Sequence, residues 1–191
     1  MQIEKKDDKP NIPTIKIIIL GASGVGKTSI LTQYISGVFN ENQAPNSGAA
    51  NMTHPMEVEF NGVQKKVKLD IWDTAGQELY RPGAKQFMKN LNCVVFVYAI
   101  NNEFTFQEIS DFNAQIKENA PDDVYKVLVG NKCDLESQRK VEFDEGVQEN
   151  KDQEMGQFME TSAQRRETLV QLFNNIGRAY LKKEAAKGVL I

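Results

Sequence analysis

The feature that most constrains this chain is an apolar, β-branched run, Ile15 to Leu20, that empties into Gly21-Ala22-Ser23-Gly24-Val25-Gly26-Lys27-Thr28. Helical spacing follows at once through Ile30, Leu31, Tyr34 and Ile35, so the unit reads as strand, glycine loop, helix over Lys27 to Ser36. The octapeptide fits G-x-x-x-x-G-K-[ST]. Its glycines let successive backbone N–H groups point at one anion, and the helix start adds partial positive charge. In that pattern Lys27 reaches the β- and γ-phosphates of a nucleotide and the Thr28 hydroxyl ligates Mg²⁺. Ser23, Gly24, Val25, Gly26 and Ser29 complete the expected cradle.

The rest of the chain repeats the alternation. Residues 37–55 are rich in Asn, Gly, Ala and Pro and read as the longest irregular segment. Met56 to Phe60 alternates, Asn61-Gly62 is a strong hairpin signal, and Val63 to Trp72 reads as the partner strand. Cys93 to Ile100 and Val124 to Gly130 are continuous apolar strands of the kind buried on both faces. Between them Phe106, Ile109, Phe112 and Ile116 predict one helix over Phe104 to Asn119. Leu169, Leu172, Phe173, Ile176, Ala179 and Tyr180 mark the clearest helix, near the end of the chain. Strands alternating with helices imply an α/β domain, its largely parallel sheet covered on both sides. Residues 1–13 read as a flexible N-terminal tail, 14–182 as the domain and 183–191 as a short C-terminal tail.

A second acidic site closes the strand Val67 to Trp72, at Asp73-Thr74-Ala75-Gly76-Gln77. A carboxylate at the carboxyl end of a strand is well placed to hold a magnesium-bound water, and Gly76 lets its N–H approach a γ-phosphate. Trp72-Asp73-Thr74-Ala75-Gly76-Gln77-Glu78 resembles the signature of Rab GTPases, and the resemblance spans roughly residues 14–182. It implies the three-layer small GTPase fold, with a mostly parallel six-stranded sheet and one antiparallel strand. It further implies GTP or GDP with Mg²⁺ as ligands, and Gln77 as the catalytic residue that orients the attacking water.

The base-recognition pieces follow in order. Asn131-Lys132-Cys133-Asp134 resembles the family's N-K-x-D motif, after the strand Val127 to Gly130. A carboxylate at Asp134 can accept both the N1–H and the 2-amino group of guanine, donors that adenine lacks at those positions. Asn131 is expected to brace the loops and the Lys132 stem to cover one face of the base. Glu160-Thr161-Ser162-Ala163 resembles the last motif, with Ser162, the Ala163 backbone N–H and Gln164 at the base; Gln164 replaces the usual lysine. Phe39 aligns with the aromatic that packs on the guanine edge, its alternative being an ordinary core phenylalanine.

The chain departs from the family in four further places. Counting from Thr28 and Phe39, the first-switch threonine is replaced by Asn46, with Ser47 one residue on and Thr53 beyond. Asn46 is read either as a Mg²⁺ ligand through its amide oxygen or as the mark of a switch that does not close, with impaired hydrolysis favoured. The segment up to Asp73 runs about five residues longer than the family pattern, with the excess placed near Ala49 to Pro55. After Gln77, Leu79 stands for a usual arginine, Pro82-Gly83 disturbs the switch helix and Phe87-Met88 replaces a pair of tyrosines. No cysteine follows Cys133, so no prenyl anchor is expected.

Composition narrows the classes. With 191 residues there is room for one ordinary domain, and a net charge of −3 gives no reason to expect nucleic acid. Two cysteines, Cys93 and Cys133, read as reduced cytosolic thiols, and with one histidine they make a zinc site unexpected. The apolar runs are too short to span a membrane, the start lacks a signal-peptide core, and Gln2 is incompatible with myristoylation. Lys182, Lys183 and Lys187 read as a solvated helix end, so membrane or cytoskeletal association is expected only through partners.

The leading expectation is a cytoplasmic nucleotide switch with slow intrinsic hydrolysis, acting in vesicle-type transport. Effectors would read residues 40–56 and 74–90, with an exchange factor and an activating protein as further partners. The alternative is a catalytically impaired, nucleotide-stabilised scaffold subunit of a larger assembly, for example in ciliary transport. A small-molecule kinase built on the same loop would leave Asp134 and Ala163 without a role.

Overall fold

A computed structural model describes residues 12–40, 50–74 and 88–189. Strands β1 (Thr14–Leu20), β2 (Ala50–Phe60), β3 (Val63–Asp73), β4 (Cys93–Ala99), β5 (Tyr125–Asn131) and β6 (Gln157–Glu160) form one sheet in the order β2-β3-β1-β4-β5-β6. Only the β2–β3 pairing is antiparallel. Helices α1 (Lys27–Ser36), α2 (Glu103–Gln107), α3 (Ile109–Asn119), α4 (Phe143–Asp152) and α5 (Arg166–Ala186) connect and cover the strands.

Strand periodicity sorts the core into two layers. Ile15, Ile17 and Ile19 of β1 join Cys93, Val95 and Val97 of β4 and the apolar stripes of α1 and α5. Ile18 and Leu20 point the other way, with Val94, Phe96 and Tyr98, against Ile109, Phe112 and Ile116 of α3. Each central strand buries both faces, which is why it reads as an unbroken apolar run. Every parallel strand thereby delivers its carboxyl end to one edge of the sheet, where a ligand crevice forms in such folds.

The expected hairpin turn is present. Asn61 and Gly62 both have positive φ, at 51° and 76°, the requirement of the tight turn that matches strand twist. Helix α1 has the bounds expected of it, and the strands around residues 93–100 and 124–131 shift by a residue at most.

Four expectations need correction. Residues 50–55 are not irregular: they form the first half of β2, with Ala50 opposite Asp73 and Pro55 opposite Lys68. Pro55 misleads because proline breaks a central strand, yet β2 is an edge strand with one side free of ladder bonds. Residues 50–55 therefore extend the hairpin beyond the expected Met56 to Trp72. The helix expected over 104–119 is two pieces, separated at Glu108, and Asn102 caps the first by accepting from the Phe104 N–H at 3.2 Å. The last helix runs on to Ala186, past the boundary placed at 182, and its lysines are not simply solvated. Lys183 and Lys187 both bind the Asp123 carboxylate, at 2.8 and 3.1 Å, which ties the helix end to the segment before β5.

Candidate functional site

The glycine loop leaves β1 between β3 and β4 and turns into α1. A Cβ at Gly21 would lie 2.1 Å from the Val97 carbonyl oxygen, so only glycine lets the loop pass so close to β4. Gly26 adopts φ 100°, and a Cβ there would meet the Asn131 amide nitrogen at 2.5 Å. The N-cap of α1 is Gly26, which has no side chain to cap it, and the first turn holds no acid, so the N–H groups and positive end of the helix suit an anion. Ser23 and Gly24 are exposed at the loop's crest, while Val25 is buried beneath it.

Lys27 is only 8 % exposed. Its ammonium donates to the Gly21 and Ala22 carbonyls at 2.7 and 2.8 Å, so the loop's own backbone solvates it. Burial lowers its pKa from the usual lysine value, and the negative charges of Asp73 and then Glu108 oppose that shift. Thr28 donates its hydroxyl to Asp73 Oδ2 at 2.6 Å, bringing together two of the three residues expected at Mg²⁺. Asp73 ends β3 at 2 % exposure, and its neighbour Thr74 donates to the Ile19 carbonyl at 3.1 Å, pinning β3 to β1. A hydroxyl beside a carboxylate is a hard-oxygen pair, suited to Mg²⁺ completed by phosphate oxygens and water. Among the described residues no group of three or more His, Cys, Asp or Glu could hold a metal on its own.

The base loops grow from the ends of β5 and β6. Asn131 donates its amide to the Val25 carbonyl at 2.8 Å and accepts from the Thr161 hydroxyl at 3.1 Å, linking the phosphate loop to both base loops. Lys132, at φ 67°, donates its ammonium to the Gly24 carbonyl at 2.7 Å. Burial lowers its pKa and the nearby Asp134 charge resists. The Ser162 hydroxyl donates to Asp134 and accepts from the Gln164 N–H at 3.0 Å, so the carboxylate is aimed before any ligand arrives. Ala163 is buried and Gln164 exposed. Phe39 is half-buried against the core of the α1–α5 layer, so it has both a packed face and a free one.

The structure thus brings together Lys27, Thr28 and Asp73 on one side and Asn131, Lys132, Asp134 and Ser162 on the other. Gly76, Gln77 and Asn46 lie outside the described residues, as do Ser47 and most of the expected effector surfaces. Sequence reading missed Arg139, whose guanidinium grips Glu160 at 2.6 and 2.8 Å; no motif announces it. Arg166 was missed too, and it donates to the Tyr34 carbonyl at 3.1 Å.

A family-level comparison matches the description "Ras family" over residues 16–182. The chain belongs to the Ras family. Within it the similarity is to Rab-type members. Ras-related protein Rab-13 of Canis lupus familiaris is 32% identical over 172 residues, covering 90% of this chain and 82% of that protein. GTP-binding protein YPT53 of Saccharomyces cerevisiae is 34% identical over 169 residues, covering 86% and 75%. GTP-binding protein ypt5 of Schizosaccharomyces pombe is 32% identical over 170 residues, covering 88% and 79%. As a Rab-like member of the Ras superfamily, the chain is a GTPase that converts GTP to GDP and phosphate, with GTP or GDP and Mg²⁺ as its ligands. The open helix start, the glycine-lined loop and the Thr28–Asp73 oxygen pair fit those ligands. No helix among the described residues is long and apolar enough to cross a membrane.

Proposed function

We propose that the chain is a guanine-nucleotide switch of vesicle-type transport, in which Lys27 holds the β- and γ-phosphates, Thr28 and Asp73 hold Mg²⁺, and Asp134 reads the base. The observation that carries this reading is Asn131, whose amide joins Val25 of the phosphate loop to Thr161 of the base loop, so that one ligand can engage both. Asp134 accepts the guanine N1–H and 2-amino group, the Ala163 N–H meets the guanine oxygen, and Phe39 packs on the base edge. Gln77 orients the attacking water, and intrinsic turnover is slow without an activating protein. Residues 40–56 and 74–90 form the effector surface, which partners read according to the nucleotide bound.

A second reading is favoured by Asn46, which offers no hydroxyl at the expected Mg²⁺ position. On that reading the chain retains nucleotide and turns it over poorly, acting as a nucleotide-stabilised subunit. Single-turnover hydrolysis of GTP by the wild type and by Asn46→Thr separates the two. Gain of rate with threonine supports impairment at this residue. Equal, measurable turnover in both supports the working switch.

A further inference from the structure

We propose that Arg139 is a positioning residue for guanine recognition, a brace that holds the two base-reading loops in one geometry. The proposal rests on the reading of Asp134 given above. Gly130 and Glu160 are register partners at the ends of β5 and β6. From Gly130 the chain enters Asn131 to Asp134, and from Glu160 it enters Thr161 to Gln164. Near these roots the loops are stitched together: the Thr161 N–H donates to the Gly130 carbonyl at 2.9 Å and the Cys133 N–H to the Thr161 carbonyl at 3.1 Å.

Arg139 lies at the far end of the first loop, beyond the short 3₁₀ turn Glu136–Gln138. Its guanidinium folds back to the root of the second. Nη1 donates to Glu160 Oε1 at 2.6 Å and Nη2 to Oε2 at 2.8 Å, a fork-to-fork pair. Nε and Nη2 also donate to the two Glu136 carboxylate oxygens at 2.9 and 2.7 Å, and Nη1 to the Val141 carbonyl at 2.9 Å. The Arg139 and Glu160 side chains are 10% and 13% exposed, so water does little to compete. Glu136 is mostly exposed and contributes less.

Glu160 is backed as well as gripped. A Cβ built on Gly130 would meet Tyr98 Oη at 2.8 Å and Glu160 Cγ at 3.2 Å, so the space beside the pair is already filled. The line of contacts then runs from Arg139 to Glu160, through two residues of backbone to Ser162, and from the Ser162 hydroxyl to Asp134. Loosening Arg139 frees Ser162 to drift and lets the carboxylate turn away from its two guanine donors. The phosphate loop joins this line at one remove, from the Thr161 hydroxyl to Asn131 and from the Asn131 amide to Val25.

The end of this line at Asp134 supplies the test. Dissociation of GDP and of IDP, whose base lacks only the 2-amino group, is measured from wild type, Arg139→Met, Arg139→Lys, Glu160→Gln and the double variant Arg139→Met/Glu160→Gln. Wild type holds GDP longer than IDP, because Asp134 accepts one more hydrogen bond. Arg139→Met is expected to speed GDP release roughly tenfold and IDP release less, so that the ratio of the IDP to the GDP release rate falls about threefold or more. Arg139→Lys keeps the charge but not the fork and falls in the same direction; it carries the test should the methionine variant not fold. The double variant should be no worse than Arg139→Met, since both remove the same pair. Release of both nucleotides accelerated by one common factor, or an unchanged ratio, overturns the brace. A wild type that does not distinguish GDP from IDP overturns the reading of Asp134 instead.

Discussion

The two halves of the nucleotide site are built differently. On the base side, Asp134, Ser162, Asn131 and Thr161 already satisfy one another, and Arg139 locks the loops from behind. On the phosphate side, Lys27 leans on carbonyls of its own loop and Thr28 on Asp73. On the proposed reading Lys27, Thr28 and Asp73 gain phosphate and metal contacts when the ligand binds. A prebuilt base half favours selectivity, because a wrong base leaves the acceptor sites of Asp134 that Ser162 does not fill desolvated and unpaired. A phosphate half that gains contacts from the ligand favours response to what is bound.

The largest break in this contrast should come from Lys27→Ala, which removes the buried cation proposed to hold the phosphates. Affinity for GDP and GTP should fall about 100-fold or more, measured by fluorescent-nucleotide titration. An Asp134→Asn change should cost about 2–3 kcal/mol of GDP binding, because the amide presents a donor to guanine's donors; phosphate-side dependence on Mg²⁺ should survive it. Thr28→Ala sharpens the other half. GDP release should become roughly tenfold faster in Mg²⁺ and lose most of its acceleration by EDTA, as expected when a metal ligand is gone.

Away from the site, Gly177→Ala tests how β2 packs against α5. A Cβ there would lie 2.7 Å from Val58 Cγ2 and 3.3 Å from Met56 Cε, so β2 must shift off α5. Urea unfolding should show a loss of about 1–3 kcal/mol, with GDP selectivity unchanged. The smallest effect is one of pH. Burial raises the Tyr34 phenol from its ordinary 10.0 to about 12, with Arg166 opposing. The native state therefore keeps a proton that the unfolded chain loses, and stability should fall as pH rises between those values; below them the group contributes nothing.

The same contrast explains what the sequence disclosed. The strand–loop–helix unit was legible because β1 is buried on both faces and the loop's glycines are required for space, so both leave strong signatures. The hairpin turn was legible because Asn61-Gly62 suits two positive φ values. The start of β2 was not, because a polar edge strand carrying Pro55 has the composition of a loop and acquires its shape only by pairing with β3. Helix α4 was missed because Phe143 to Asp152 is nearly all polar and includes Gly146. That glycine is needed for contact: a Cβ there would meet the Phe158 ring at 2.3 Å. Strand β6 has four residues, too few for a period. In the site the structure sets Thr28 against Asp73 and Ser162 against Asp134, and Lys27, Thr28, Asp73 and Asp134 were all singled out by motif. Arg139 was not, because a brace can come from any position that reaches Glu160.

The account's central claim is that one carboxylate, held by Ser162, selects guanine. Equilibrium binding of GDP and ADP to the wild-type protein in Mg²⁺ tests it most directly. GDP should bind at least about 10⁴-fold more tightly than ADP, since a site built to accept two donors rejects a base lacking them. Comparable affinities for the two nucleotides would contradict it.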